Sequence, residues 1–269
     1  MRNPAKADDL GASGATLHVG DVTDAATLAG AGEGVDVAYF LVHAMASGAG
    51  FAEREREGAR NFAQMAKREG VKRVIYLGGL GEDSVSEHLR SRHEVAQVLR
   101  TYGPPLTYFR AAMVVGVGSE SFRTLRYLVG RLPVMITPSW LRTLTQPIGV
   151  DATIEYLRRA PEAAESAGRE VQIGGPQVLS YDAMLDRMAV AMGKRKPIRV
   201  PVPFITPWLS ALWLGLVTPV DTKVARPLVE GLTTATVVTD PSGAEPFGIS
   251  PESFDESLRR ALEEEERGQ

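Results

Sequence analysis

RVIYLGGLG, residues 73–81, sets five residues fit for the inside of a sheet directly before three glycines in four positions. A near-continuous apolar run closed by turn residues reads as a strand buried on both faces, because a parallel sheet carries helices on each side and keeps no polar face. The pattern repeats outward. Residues 35–42 (VDVAYFLV) are a second such run. Between the two, residues 51–69 place Phe51, Ala59, Phe62, Ala63 and Ala66 on one side of a charged helix that Gly70 stops. Downstream, residues 86–102 read as a helix that opens on Ser84-Val85-Ser86-Glu87, a capping-box pattern, and ends at Gly103. Residues 106–115 (LTYFRAAMVV) supply the next strand and its exit. Strands alternating with helices at this spacing predict a parallel, doubly wound α/β sheet.

Nearer the amino terminus, residues 11–24 (GASGATLHVGDVTD) look like the glycine-rich turn that holds a dinucleotide pyrophosphate. Such a turn must follow a strand and open a helix, since the phosphate rests on free backbone N–H groups at a helix N-terminus. Here the order is reversed. Residues 5–10 read as a short helix upstream, residues 15–19 as a short strand downstream, and the third glycine of the pattern would fall at Leu17. The stretch is a decoy.

The 269 residues hold enough material for one large or two modest domains, and 44% hydrophobic with 23% charged residues is ordinary for a globular chain. A net charge of −3 argues against a nucleic-acid partner, because Lys194-Arg195-Lys196 is the single basic cluster and it sits between Gly193 and Pro197 as a solvated turn. The absence of cysteine fits a reducing, cytoplasmic location, and no export signal is recognisable. Residues 204–220 (FITPWLSALWLGLVTPV) are almost uncharged, but the helical part between Pro207 and Pro219 is too short to span a bilayer. Core packing is the expectation there, with peripheral membrane contact or a lid over a hydrophobic substrate as alternatives, given Trp208 and Trp213. The acidic residues 263–266 read as a fraying helix end. No paired carboxylates, metal-spaced histidines or nucleophile elbow support a hydrolase or a metalloenzyme.

The segments GDVTD (residues 20–24), YFLVHAM (39–45), GVKRVIYLGGLG (70–81) and FRAAMVVGVGS (109–119) resemble those of the atypical or extended short-chain dehydrogenase/reductases, of the NmrA-like type that binds NAD(P). QPIGVDATIEYL (146–157) and EVQIGGPQVLSYDAML (170–185) are similar to that family's return strand with its helix and its closing strand, loop and helix. The resemblance runs through nearly the whole chain in order. It implies a Rossmann-type sheet with a small C-terminal substrate lobe. Residues 1–160 would form the NAD(P)-binding domain, with 117–146 contributing to the lobe, and residues 161–269 would bring the closing strand and the rest of the lobe. In the family an Arg-Asn-Pro-like segment follows the second strand, whereas this chain opens on Met1-Arg2-Asn3-Pro4. About 30 residues bearing the first strand, the glycine loop, the first helix and most of the second strand are therefore expected to be missing, through a start site placed too late or in a truncated paralogue. Weak dinucleotide binding and marginal stability would follow.

The resemblance also assigns positions. Arg2 would grip the adenosine 2′-phosphate, favouring NADP over NAD, unless it is simply a flexible terminal arginine. Asp21 and Val22 would lie beside the adenine, while Asp21 or Thr23 could also cap a helix beginning near Ala25. Leu41, Val42 and His43 would run under the cofactor ribose, and His43 could donate to substrate or be a satisfied structural group. Gly78 and Gly79 stand near where catalytic relatives carry a Ser or Thr; they allow close backbone approach and bring no hydroxyl. Backbone of Ala112 and Met113 would approach the nicotinamide, with Gly116 and Gly118 permitting a sharp exit. His88 and Arg92 replace the family's Tyr-x-x-x-Lys at the same i, i+4 spacing. Histidine can serve as a proton donor and arginine can grip ribose or phosphate, or both can belong to an exposed polar face with Glu87, Arg90 and His93. Asp151 is expected to cap its helix. The implied activity is hydride transfer between NADP(H) and a hydrophobic carbonyl, alcohol or quinone-like small molecule. The alternative is a non-catalytic dinucleotide-binding redox sensor or accessory subunit.

Overall fold

The computed structural model describes residues 14–42, 50–81, 86–201 and 230–268. In chain order its strands are β1 (Val37–Phe40), β2 (Arg73–Gly79), β3 (Leu106–Ala111), β4 (Val114–Val115), β5 (Val134–Thr137), β6 (Leu144–Thr145), β7 (Ile148–Gly149), β8 (Glu170–Ile173), β9 (Leu179–Ser180) and β10 (Ile198–Pro201). Its α-helices are α1 (Phe51–Arg68), α2 (Glu87–Tyr102), α3 (Glu120–Arg131), α4 (Val150–Arg159), α5 (Tyr181–Ala191) and α6 (Phe254–Gly268).

Four strands make the central sheet in the order β1-β2-β3-β8, parallel throughout. Every residue of β3 is buried, which its apolar sequence requires when both faces carry helices. Helices α1 and α2 cover one face, where Phe40, Val74, Tyr76 and Tyr108 pack against Ala59, Ala63, Val95 and Leu99. Helix α4 covers the other, bringing Ala152 and Tyr156 onto Ile75, Phe109 and Ile173. This is the expected doubly wound, Rossmann-type arrangement. A separate apolar cluster of α3, α5 and α6, with Phe122, Leu125, Met184, Leu185, Met188 and Leu258, forms a lobe between and beyond the strands.

Several local expectations are corrected. Residues 15–19 are exposed and pair with no strand among the described residues, since extended backbone becomes a strand only when its N–H and C=O groups find a ladder. β1 is shorter than the apolar run 35–42, and Leu41 and Val42 beyond it are about half exposed. A short 3-10 helix at Ala25–Leu28 is capped by Asp24, whose Oδ1 accepts from Ala26 N at 3.1 Å. Asp21 instead accepts from Thr23 N at 3.0 Å and from the Thr23 hydroxyl at 2.9 Å, closing a small turn. Ser86 stands at the start of α2 without a side-chain cap bond, while Ser84 and Val85 lie outside the described residues. Gly149, and not Asp151, is the N-cap of α4; Asp151 sits in the first turn and pairs with Arg260. Residues 263–266 belong to α6, and Glu265 is held by Arg126 at 2.9 Å. Residues 194–196 do form an exposed turn, in which Lys194 Nζ donates to Gly130 O at 2.8 Å. The segments 5–10 and 204–220 lie outside the described residues. Among the described residues no helix is long and apolar enough to cross a membrane.

Candidate functional site

Open parallel sheets present their ligand crevice at the carboxyl ends of the strands. A cavity of about 350 Å³ opens there, at the ends of β2 and β3. Leu77, Gly78, Gly79 and Leu80 form one side of its base, and Ala111, Ala112, Met113 and Val114 the other. Helix α2 adds His88, Leu89 and Arg92. The lobe closes the chamber with Leu125, Leu128, Trp140, Leu141, Tyr181 and Leu185, and residues 231–236 cross over it. Its volume lies in the range of small-molecule sites, roughly 300–1,000 Å³, and like them it is mainly apolar with a few converging polar groups.

The glycine pair earns its place by crowding. A Cβ on Gly78 would stand 2.8 Å from the Tyr108 ring, and one on Gly79 would stand 2.8 Å from Leu89 Cδ2. Packing against the Tyr108 ring therefore bars a side chain at Gly78, whereas at Gly79 the tip of Leu89 would have to turn aside.

His88 and Arg92 do not lie on a solvated face. Glu87 and Arg90 point outward, His88 is half-buried against the chamber, and Arg92 is 8% exposed. Arg92 acts on the Tyr76 hydroxyl in the layer beneath, as does the charge of Glu55. Burial pushes the Tyr76 phenol up to about 12, with Arg92 opposing that rise, so this hydroxyl stays neutral at ordinary pH. Glu55 of α1 is itself buried and accepts from Ser91 Oγ at 2.5 Å. A permanent cation thus borders a mainly apolar chamber.

A second polar group under the floor was not legible as part of the site. Arg110, 2% exposed in the middle of β3, pairs with Glu170 of β8 and donates through Nε to Gly79 O at 3.3 Å. His93 lies against it, with Nε2 3.4 Å from Arg110 Nη2 and Nδ1 3.2 Å from the Tyr108 hydroxyl. Desolvation and the neighbouring Tyr76 push the Tyr108 phenol far up. The signal was available: an arginine inside LTYFRA is a charge in a run that must be buried, and a buried charge needs a partner.

The sequence-predicted positions divide into groups. Gly78, Gly79, His88, Arg92, Ala112 and Met113 meet at the chamber. Asp21, Val22 and Val42 line a different cavity of about 420 Å³, beside β1 and α1. Leu41 is 47% exposed at the end of β1 and lines neither. Arg2 and His43 lie outside the described residues. Sequence reasoning did not reach Tyr181 or Thr236, which line the lobe side of the chamber. Among the described residues no group of three His, Asp or Glu is placed to hold a metal ion.

Residues 1–112 match the family model of NAD(P)H-binding domains. No curated protein matches the chain in sequence. Among solved structures, triphenylmethane reductase of Citrobacter sp. in complex with NADP(H) is similar with a TM-score of 0.75 at 18% identity, over 97% of this chain and 89% of that one. The NADPH-dependent quinone oxidoreductase of Escherichia coli, complexed with NADPH, gives 0.74 at 20% identity over 97% and 88%. The DesIV dTDP-glucose 4,6-dehydratase of Streptomyces venezuelae, a double mutant with NAD bound, gives 0.70 at 18% identity over 99% and 85%. These likenesses establish a Rossmann-type fold, and residues 77–79 and 111–113 lie at the carboxyl edge of its sheet, where they line the chamber.

Proposed function

We propose, from the premise that residues 1–112 are an NAD(P)H-binding domain on a Rossmann-type sheet, that the chain is a reductase of hydrophobic carbonyl or quinone-like small molecules. The observation that carries this reading is the apolar chamber at the ends of β2 and β3, bordered by one imidazole and one buried guanidinium. The nicotinamide, when bound, supplies a hydride. The balance is one hydride and one proton added to the acceptor, so NADPH, a proton and a carbonyl compound give NADP and an alcohol, or a quinone gives a hydroquinone. His88 hands the proton to the acceptor oxygen. Arg92 polarises that oxygen and exchanges no proton, because its guanidinium stays charged. The leucines and Trp140 exclude water around them.

Residues 1–160 carry the cofactor and the lobe of 117–146 and 161–269 selects the substrate. Arg2 makes NADP(H) the preferred cofactor by pairing with its 2′-phosphate. Replacing it by alanine should weaken NADPH binding by roughly 10–100-fold, as expected for a charge-assisted bond, and leave NADH binding nearly unchanged.

The test is an NADPH titration followed by tryptophan fluorescence, then NADPH oxidation with quinones and aldehydes. Saturable binding with turnover that falls about 100-fold in Arg92→Gln supports the reading. Binding without turnover moves the protein to a second reading, a dinucleotide-binding sensor or accessory subunit, which is favoured by glycine at 78 and 79 where a hydroxyl would otherwise help.

A further inference from the structure

Helix α3 turns one face to the chamber. Ser121, Thr124, Leu125 and Leu128 all line it, at positions i, i+3, i+4 and i+7, the spacing that sets side chains along one side of a helix. Leu125 and Leu128 also pack into the lobe core, which fixes the roll of the helix. Ser121 is thus the first side chain of the stripe, half-buried at its amino-terminal end.

The neighbouring hydroxyls are committed. Ser119, the N-cap of α3, donates through Oγ to Val114 O at 2.7 Å and accepts from Phe122 N at 3.3 Å. Thr124 Oγ1 donates to Glu120 O at 2.7 Å, the carbonyl one turn back. Elsewhere on the lobe side, Thr236 Oγ1 donates to Thr145 Oγ1 at 2.8 Å. Ser121 stands in the first turn, so the residue four places before it precedes the helix and offers no such carbonyl. Its hydroxyl makes no hydrogen bond among the described residues.

A hydroxyl brings one hydrogen to give and two lone pairs to receive. A ligand that displaces water from it must replace that water's hydrogen bond or leave the group unpaired, and a polar group left unpaired in an apolar wall costs binding. A site of this kind rejects the alkyl analogue of its ligand more strongly than a wall of leucines could. The polar groups of the chamber therefore come from two separately packed helices: His88 and Arg92 from α2, which lies with α1 on the sheet, and Ser121 from α3 in the lobe.

We infer that Ser121 is a specificity-determining residue that hydrogen-bonds a hydroxyl substituent of the substrate, so that the chamber takes hydrophobic carbonyl compounds bearing an alcohol in preference to their alkyl analogues. An alcohol matches serine because each can both give and receive. This rests on the chamber being the substrate site proposed above, with the reacting carbonyl beside His88 and Arg92. It adds that the lobe selects by hydrogen bonding as well as by apolar fit.

The experiment is calorimetric, without cofactor, on the whole chain. Its probes are 4-(hydroxymethyl)acetophenone and 4-ethylacetophenone, ketones of one shape that differ in a hydroxyl for a methyl. The ratio of their affinities, alcohol over alkyl, should be about tenfold lower in Ser121→Ala than in the wild type, the scale of one hydrogen bond in a double-mutant cycle. Alanine suits a helix at least as well as serine, so the variant should melt with the wild type. An unchanged ratio in Ser121→Ala, or binding of neither ketone by the wild type, overturns the inference. So does a variant that loses NADPH affinity at an unchanged ratio, because the hydroxyl then serves the cofactor. NADPH oxidation with the same ketones, measured in parallel, separates the two claims. A ratio that falls as expected without turnover removes the reductase reading and keeps this one, whereas turnover at an unchanged ratio does the reverse.

Discussion

Arg110 is the bulkiest of the fully buried side chains among the described residues, a permanent cation 2% exposed in β3. Its pairing with Glu170 and its bond to Gly79 O offset its desolvation and fix the floor of the chamber. Arg110→Met should cost about 3 kcal/mol in urea denaturation, because Gly79 O and His93 lose a donor, whereas Glu170→Gln, at the half-solvated end of the pair, should cost roughly 1. The buried phenols set a limit at high pH. Tyr76 and Tyr181 are each held up to about 12 by burial, above the ordinary value of 10.0. A raised folded value means that the stabilisation is complete below pH 10 and is lost as pH climbs through about 12, at up to roughly 1.4 kcal/mol per unit for each phenol. Thermal melts between pH 9 and about 11 should therefore fall less steeply in Tyr76→Phe than in the wild type. At this scale the sequence was only partly readable. The polarity of HLRSRH does not say which of its six residues turns inward, so the burial of Arg92 became visible only once α2 had been laid on β2.

Secondary elements were legible where an apolar period was long, as in α1, α2 and β3, and poorly so where a partner decides the outcome. Residues 15–19 have strand-like composition and no ladder; residues 35–42 have a buried composition but only Val37–Phe40 pair, against β2. Caps were misplaced by one to three residues, at Asp24 for Asp21 or Thr23 and at Gly149 for Asp151, because several residues able to cap stand together and the turn geometry chooses among them. Helix α6 supplies a test of what holds the lobe. Leu258 is fully buried against α3 and α5, so Leu258→Ala should cost about 3 kcal/mol. Arg260, paired with Asp151 and Glu252, is half exposed, and Arg260→Ala should cost under about 1 kcal/mol by the same denaturation.

Across the whole molecule, alternating runs disclosed the doubly wound sheet, but not that the implied positions would divide between two cavities. That division depends on how α2, the lobe and residues 231–236 close over strand ends, a long-range matter with no local period. If both cavities serve one dinucleotide, NADPH at a hundred times its dissociation constant should raise unfolding free energy by about 2.7 kcal/mol. The strand order has a consequence for how the chain assembles. β1, β2 and β3 are neighbours in sequence as well as in space, whereas β8 joins β3 only after the intervening residues 112–169 have been made. On a ribosome the first three strands can dock as they emerge, while the last must wait for a long loop to close, at an entropic cost that grows only slowly with its length. The lobe is thus, in kinetic terms, an insertion in an unfinished sheet. In pulse-labelled hydrogen exchange during refolding, amides of β2 should gain protection before those of β8.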